Sequence, residues 1–192
     1  MRSKMLGGFL LLILLASTAF AQMSGPDKKD VLGWQETRWG MTQDELFKLF
    51  SDSIVKRSQR NFYLKPGGSS ERYGYVDYVI PEMKVAGDVF EVSFVMDIKT
   101  YQLIEVDLSL KDYKKAASTQ SIVFDKLEEL LTQKYGPPTY KNESITSVVN
   151  RVRHWAFHTT TIKLDFHYMK GIDMTIFHLT YEPSKNEDLE KL

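Results

Sequence analysis

The residues best suited to chemistry are the four histidines, which all fall in the last quarter of this 192-residue chain. Around Trp155 and Phe157, and again in two later segments, apolar and polar side chains alternate with a period of two. Consecutive side chains of a strand point to opposite faces of a sheet. One face should therefore carry the bulky apolar residues and the other the histidines. The predicted histidine face comprises His154, His158, Lys163, Asp165, His167 and His178.

Strand register decides whether these side chains meet. If Thr159-Thr160 and Gly171-Ile172 are two-residue hairpin loops, then His154, Asp165 and His178 stand in one row across three strands. Strands lie about 4.8 Å apart. Two imidazoles around one carboxylate could bind a divalent transition metal, with His158 and His167 nearby, or could form a proton-sensitive cluster.

A plainer interpretation of the same row is a solvated strand face with ordinary cross-strand pairs. It is the favoured one, because the chain lacks the usual metal-ligand spacings and a one-residue error in either turn would dissolve the row. We therefore expect no obligatory cofactor, with a metal as the alternative.

Motifs of catalysis are missing from the chain. It has no cysteine, no nucleophile elbow and no phosphate-binding glycine loop. The glycine-rich stretch 65–69 has the composition of a connector. Asp97, Glu105 and Asp107 are expected on a solvated acidic face. The chain is therefore expected not to be an enzyme, unless catalytic residues assemble only in space.

The first 21 residues have the features of a signal peptide. Arg2 and Lys4 precede an apolar run, and Ala19-Phe20-Ala21 is a small-x-small cleavage site before Gln22. Its removal leaves 23 basic against 25 acidic residues, a balance that argues against nucleic-acid binding. We expect a periplasmic, or else secreted, protein with no transmembrane segment after cleavage.

Helix and strand signals recur in the same order twice. Thr42 and Glu45 form a capping box that begins a first helix, and the stretch 51–73 reads as a polar loop. Three strands follow, at Tyr75–Val85, Val89–Asp97 and Gln102–Leu110. A second helix, Thr119–Tyr135, ends at Gly136-Pro137-Pro138. After a second loop come strands at Val152–His158, Thr161–Met169 and Met174–Tyr181.

The predicted fold class is α+β, with tandem helix–three-strand repeats forming an antiparallel sheet that has both helices on one face. Pro81 interrupts its strand and indicates an edge or a bulge. The predicted domains are residues 22–117 for the first repeat and 118–183 for the second, followed by a charged tail at 184–192.

The start Trp39-Gly40-Met41-Thr42 resembles exported bacterial proteins that carry a WGM(S/T) start, an acidic helix and three strands. The tandem arrangement is similar to the β-lactamase-inhibitor-protein architecture, part of which the BamE/SmpA lipoproteins share. The chain departs from the latter by lacking a lipidated cysteine. The resemblance implies an envelope location and protein–protein contact, and no individual functional residue.

The resulting functional hypothesis is a non-enzymatic module that binds a protein or another envelope component. It would use an exposed sheet face or the loops 58–73 and 137–147. The alternative is a periplasmic protein that binds a metal or small ligand through the histidine face.

Overall fold

The computed structural model describes residues 30–65, 67–111 and 116–185, which form two helices and eight strands. The predicted signal peptide and residues 186–192 of the predicted charged tail lie outside these residues. In chain order the elements are α1 (Gln43–Leu49), β1 (Val55–Leu64), β2 (Arg72–Val85), β3 (Asp88–Asp97), β4 (Leu103–Leu110), α2 (Ala117–Tyr135), β5 (Tyr140–Ile145), β6 (Val148–Ala156), β7 (Thr160–Met169) and β8 (Met174–Pro183). Neither described helix has the length and apolar character needed to cross a membrane.

All eight strands belong to one antiparallel sheet with the order β1-β2-β3-β4-β8-β7-β6-β5. Each group of four consecutive strands forms a meander. The two meanders join through their last strands, β4 and β8, where Val106 pairs with Tyr181 and Leu108 with Leu179. This β4–β8 seam occupies the middle of the sheet and leaves β1 and β5 as its edges.

Both helices begin or end as the sequence predicts. The Thr42 hydroxyl accepts the Glu45 N–H, and the Glu45 side chain accepts the Thr42 N–H, which completes the capping box. At the end of α2, Gly136 adopts a φ of 81°, a conformation that favours glycine.

The larger of two hydrophobic clusters among the described residues lies between the helices and the sheet, and a smaller separate one contains Val76, Val79 and Val95. Leu46 of α1 and four residues of α2 share a single buried cluster with the inward-facing strand residues. The four α2 residues are Val123, Phe124, Leu127 and Leu131. Both helices therefore cover the same face of the sheet, and α2 packs against β7 and β8.

The predicted count of three strands after each helix is wrong, because four strands follow each one. The predicted loops 51–73 and 137–147 contain β1 and β5. Both are edge strands whose residues are mostly exposed on either face, so neither shows the alternation that marks a one-sided strand. Pro81 lies beside a register shift between β2 and β3, so its bulge interpretation is confirmed.

The first meander curls away from the helices. On a flat sheet the backbones of β1 and β4 would be three strand spacings, about 14 Å, apart. The tips of two side chains from these strands nevertheless meet, because the Tyr63 hydroxyl lies 3.4 Å from Asp107 Oδ2. An irregularity in β1 contributes, because this strand advances from Lys56 to Asn61 while β2 advances only from Tyr78 to Val76. The curl buries polar groups on a face that no described helix covers.

Candidate functional site: the helix-free face

We call the sheet surface opposite α1 and α2 the helix-free face. Trp155 is fully buried on the helix side, so its neighbour His154 projects from the helix-free face. The same alternation places His167 and His178 there, as the sequence predicts, since Phe166 and Phe177 are buried in the core. His158 lies outside the strands, exposed in the β6–β7 turn.

The predicted row of His154, Asp165 and His178 is correct at one strand pair and wrong at the other. Asp165 pairs with His178, but His154 pairs with Lys163. The β6–β7 turn is longer than two residues: Ala156 pairs with Thr161, and the Phe157 N–H donates to the Thr160 carbonyl. A shift of two positions keeps His154 on the predicted face and moves it out of the row.

The arrangement does not form a metal-ligand set. Across the described residues, no three His, Cys, Asp or Glu side chains are grouped so as to hold a metal ion. His154 Nε2 is 3.9 Å from Asp165 Oδ1, which exceeds hydrogen-bonding distance. His167 Nδ1 is engaged by Asn150 Oδ1 at 2.8 Å.

A cluster of polar contacts on this face crosses the β4–β8 seam. His178 Nδ1 lies 2.9 Å from Asp107 Oδ1. The Ser109 hydroxyl donates to the other oxygen at 2.8 Å, and Tyr63 donates to it from β1. The Asp107 side chain is only 3% exposed. The expectation of a solvated acidic face is therefore wrong at Asp107, because the curl of the sheet covers it.

Two histidines that look alike in the sequence have opposite electrostatics. The hydrogen bond that His178 donates to Asp107 raises the pKa of His178, whereas burial lowers the pKa of His154. Burial also raises the pKa of Asp165, whose Oδ1 has no hydrogen-bond partner among the described residues. The face thus carries a positive charge at His178 more readily than at His154.

Glu105 lies two residues before Asp107 on β4. Its carboxyl group accepts fewer hydrogen bonds than that of Asp107. The Tyr73 hydroxyl donates to Glu105 Oε2 at 2.9 Å. Burial raises the pKa of Glu105 to about 7, and the nearby Asp107 and Glu182 carboxylates add to this shift. The carboxyl therefore changes its charge near neutral pH.

A cavity of about 620 Å³ opens beside Glu105 on the helix-free face. This size falls within the usual range of small-ligand sites, about 300–1,000 Å³. The cavity is lined by Lys65, Tyr73, Ile104, Glu105, Lys163, Glu182, Pro183, Ser184 and Lys185. The sequence alone does not reveal this cavity, because its walls come from four strands whose register is defined only in the folded chain.

An apolar strip lies toward the opposite end of β8. Met169 pairs with Met174 and with Val148, and Ile176 follows Met174 on the same face. Met174 is 43% exposed and Ile176 is 38% exposed. The sequence contains a signal for this strip, because Phe177, Leu179 and Tyr181 alternate along the predicted strand Met174–Tyr181 and Ile176 falls on the opposite face.

The chain matches no protein-family model, and comparisons with curated proteins and with solved structures find no similar protein. Any inference about function must therefore come from the geometry of this α+β fold.

Proposed function

We propose that the chain is an exported, non-enzymatic binding module of the bacterial periplasm and that it receives a partner protein on its helix-free face. The contact surface is the apolar strip defined by Val148, Met169, Met174 and Ile176. The observation that carries this proposal is the exposure of Met174 and Ile176 on a sheet face that neither helix covers.

Two physical arguments support a protein partner. A one-sided antiparallel sheet normally turns polar residues toward water, so a contiguous apolar strip there indicates a surface that another molecule covers. Methionine adapts its shape to a partner, and two of the four strip residues are methionines. The predicted binding loops 58–73 and 137–147 contain residues of the edge strands β1 and β5, and they contribute no residue to this strip.

The absence of catalysis is supported by how the described hydroxyl groups are used. Asp107 and His178 resemble the orienting half of a hydrolytic triad. However, the Ser109 hydroxyl donates to Asp107, and no described hydroxyl group hydrogen-bonds His178 Nε2. The pair therefore lacks a nucleophile among the described residues and acts to hold β4 against β8.

Site-specific photo-crosslinking tests the proposal. A photo-reactive amino acid is placed at Ile176 on the strip, and at Ile122 on the outer side of α2 as the matched control. Ile122 is also an exposed isoleucine, with 54% of its surface accessible. In cells of the native host, we expect a discrete crosslinked protein from position 176 and none of the same mass from position 122.

A second variant checks that the strip itself is responsible. Met174→Asp, combined with the photo-reactive residue at position 176, should abolish the crosslinked species while the protein remains folded. Identical products from positions 122 and 176, or a crosslink that survives Met174→Asp, would contradict the proposal.

A further inference from the structure

The cavity beside Glu105 has charged groups at its floor and apolar groups in its wall. Glu105 on β4 and Glu182 on β8 both line the cavity, just beyond Val106 and Tyr181, the last pair of the seam. The Glu182 carboxylate raises the pKa of Glu105, because like charges repel. Ile104 and Pro183 contribute the apolar surface next to these carboxyl groups.

The lysines that line the cavity form no ion pair with Glu105 among the described contacts, although the charge of Lys163 lowers the pKa of Glu105 from a greater distance. Lys163 Nζ lies 2.6 Å from Glu182 Oε1, and Lys65 Nζ lies 2.7 Å from Glu71 Oε1. Glu105 accepts a hydrogen bond from the Tyr73 hydroxyl. It forms no ion pair with a described lysine or arginine. A buried carboxylate is stabilised most by an opposite charge within about 4 to 6 Å.

We propose that this cavity binds an alkylammonium group, with Glu105 receiving the ammonium and Ile104 and Pro183 contacting the alkyl chain. An ammonium ion supplies three donors to the Glu105 carboxylate, which has only the Tyr73 hydroxyl at present. The ligand is either a free primary amine or the side chain of a lysine in another protein. This inference does not rest on the apolar strip, which lies toward the other end of β8.

Ligand binding should depend on pH because Glu105 must be ionised to receive the ammonium. Its pKa is about 7, so affinity should rise by about tenfold between pH 6 and pH 8. Strand β3 places the apolar Val95 opposite Glu105. The other strands near Glu105 carry titratable or charged groups that face it. They are Tyr63 on β1, Tyr73 on β2, Asp107 on β4, Lys163 on β7, and His178 and Glu182 on β8. Lys65, which precedes β2, and Lys185, which follows β8, also line the cavity.

The test is an NMR titration of the purified ¹⁵N-labelled protein with pentylamine and with 1-pentanol, its neutral counterpart. We expect saturable shifts of cavity residues with pentylamine, tighter at pH 8 than at pH 6 by about tenfold, and none with 1-pentanol. Glu105→Gln keeps the size of the side chain and can still accept the Tyr73 hydroxyl. It should weaken pentylamine binding at pH 8 by tenfold or more and remove most of the pH dependence.

Two further arms separate the alternatives. Glu36→Gln, at an exposed carboxyl that does not line the cavity, should leave binding unchanged. A lysine blocked at both backbone ends that binds as well as pentylamine assigns the cavity to protein lysines, whereas binding of pentylamine alone assigns it to free amines. Equal binding of 1-pentanol, or full affinity in Glu105→Gln, would overturn the inference. These results are independent of the crosslinking at Ile176.

Discussion

At the scale of single residues, two acidic side chains of β4 differ in how many hydrogen bonds their carboxyl groups accept. Asp107 and Glu105 lie on the same face, two positions apart. Asp107 accepts from Tyr63, Ser109 and His178, so its burial is compensated. Among the described residues, Glu105 accepts a hydrogen bond only from Tyr73, and burial raises its pKa to about 7. Glu105 is therefore a group that costs stability when it is ionised.

This cost gives a prediction for unfolding. The unfolded chain loses the Glu105 proton near pH 4.5, and the folded chain holds it up to about pH 7. The contribution of this proton to stability is therefore complete below pH 4.5 and is lost as the pH rises to 7. Glu105→Gln should gain about 2 to 3 kcal/mol over the unchanged chain between pH 4.5 and pH 8.

Urea unfolding of both proteins at pH 4.5 and pH 8 measures that gain. Glu36→Gln serves as the control, because the Glu36 side chain is exposed and should show no such difference. A difference between Glu105→Gln and the unchanged chain that is the same at both pH values would mean that Glu105 titrates normally.

At the scale of helices and strands, the elements that the sequence predicts are those with a local capping signal or with one buried face. The capping box at Thr42 and the glycine at 136 are local signals, and both are confirmed. The strands with a dry face, such as Asp88–Asp97, were also predictable. Edge strands β1 and β5 were not, because their pattern is set by neighbours that are remote in sequence or by exposure to water.

Arg153, on the helix side of the sheet, is another residue whose role the sequence pattern does not predict. Its side chain is fully buried and pairs with Glu128 of α2 and with Glu143 of β5. A buried arginine is acceptable only when it is paired, and neither partner is adjacent to it in the sequence. This triad joins β5 to α2, so the placement of the edge strand depends on contacts that no periodicity reveals.

The end of α2 gives an element-scale prediction. Gly136 combines φ 81° with ψ −175°, a region that is essentially restricted to glycine. Its carbonyl also accepts the indole N–H of buried Trp155 at 2.8 Å. Gly136→Ala should lower the free energy of unfolding by about 1 to 3 kcal/mol. Denaturant titration at neutral pH measures the loss.

Gly171→Ala is the matched control. A methyl group there meets no atom within 4 Å, so its cost should stay below about 0.5 kcal/mol. Comparable losses at both glycines would show that the conformation of Gly136 is not what ends α2.

At the scale of the whole molecule, the β4–β8 seam creates the helix-free face as a single surface. Asp107 and Glu105 come from one meander, and His178 and Glu182 from the other. The sequence predicts the two halves and the sharing of one face by the histidines. It cannot predict which strands meet at the seam, because edge-to-edge joining depends on pairing between segments about seventy residues apart.

The seam is therefore the feature on which the cavity depends, because Glu105 comes from β4 and Glu182 from β8. Backbone NMR tests the seam directly. We expect interstrand nuclear Overhauser contacts between Val106 and Tyr181 and between Leu108 and Leu179, the pairs that join β4 to β8. Contacts from β4 to β5 or β1 instead, with none to β8, would contradict the account.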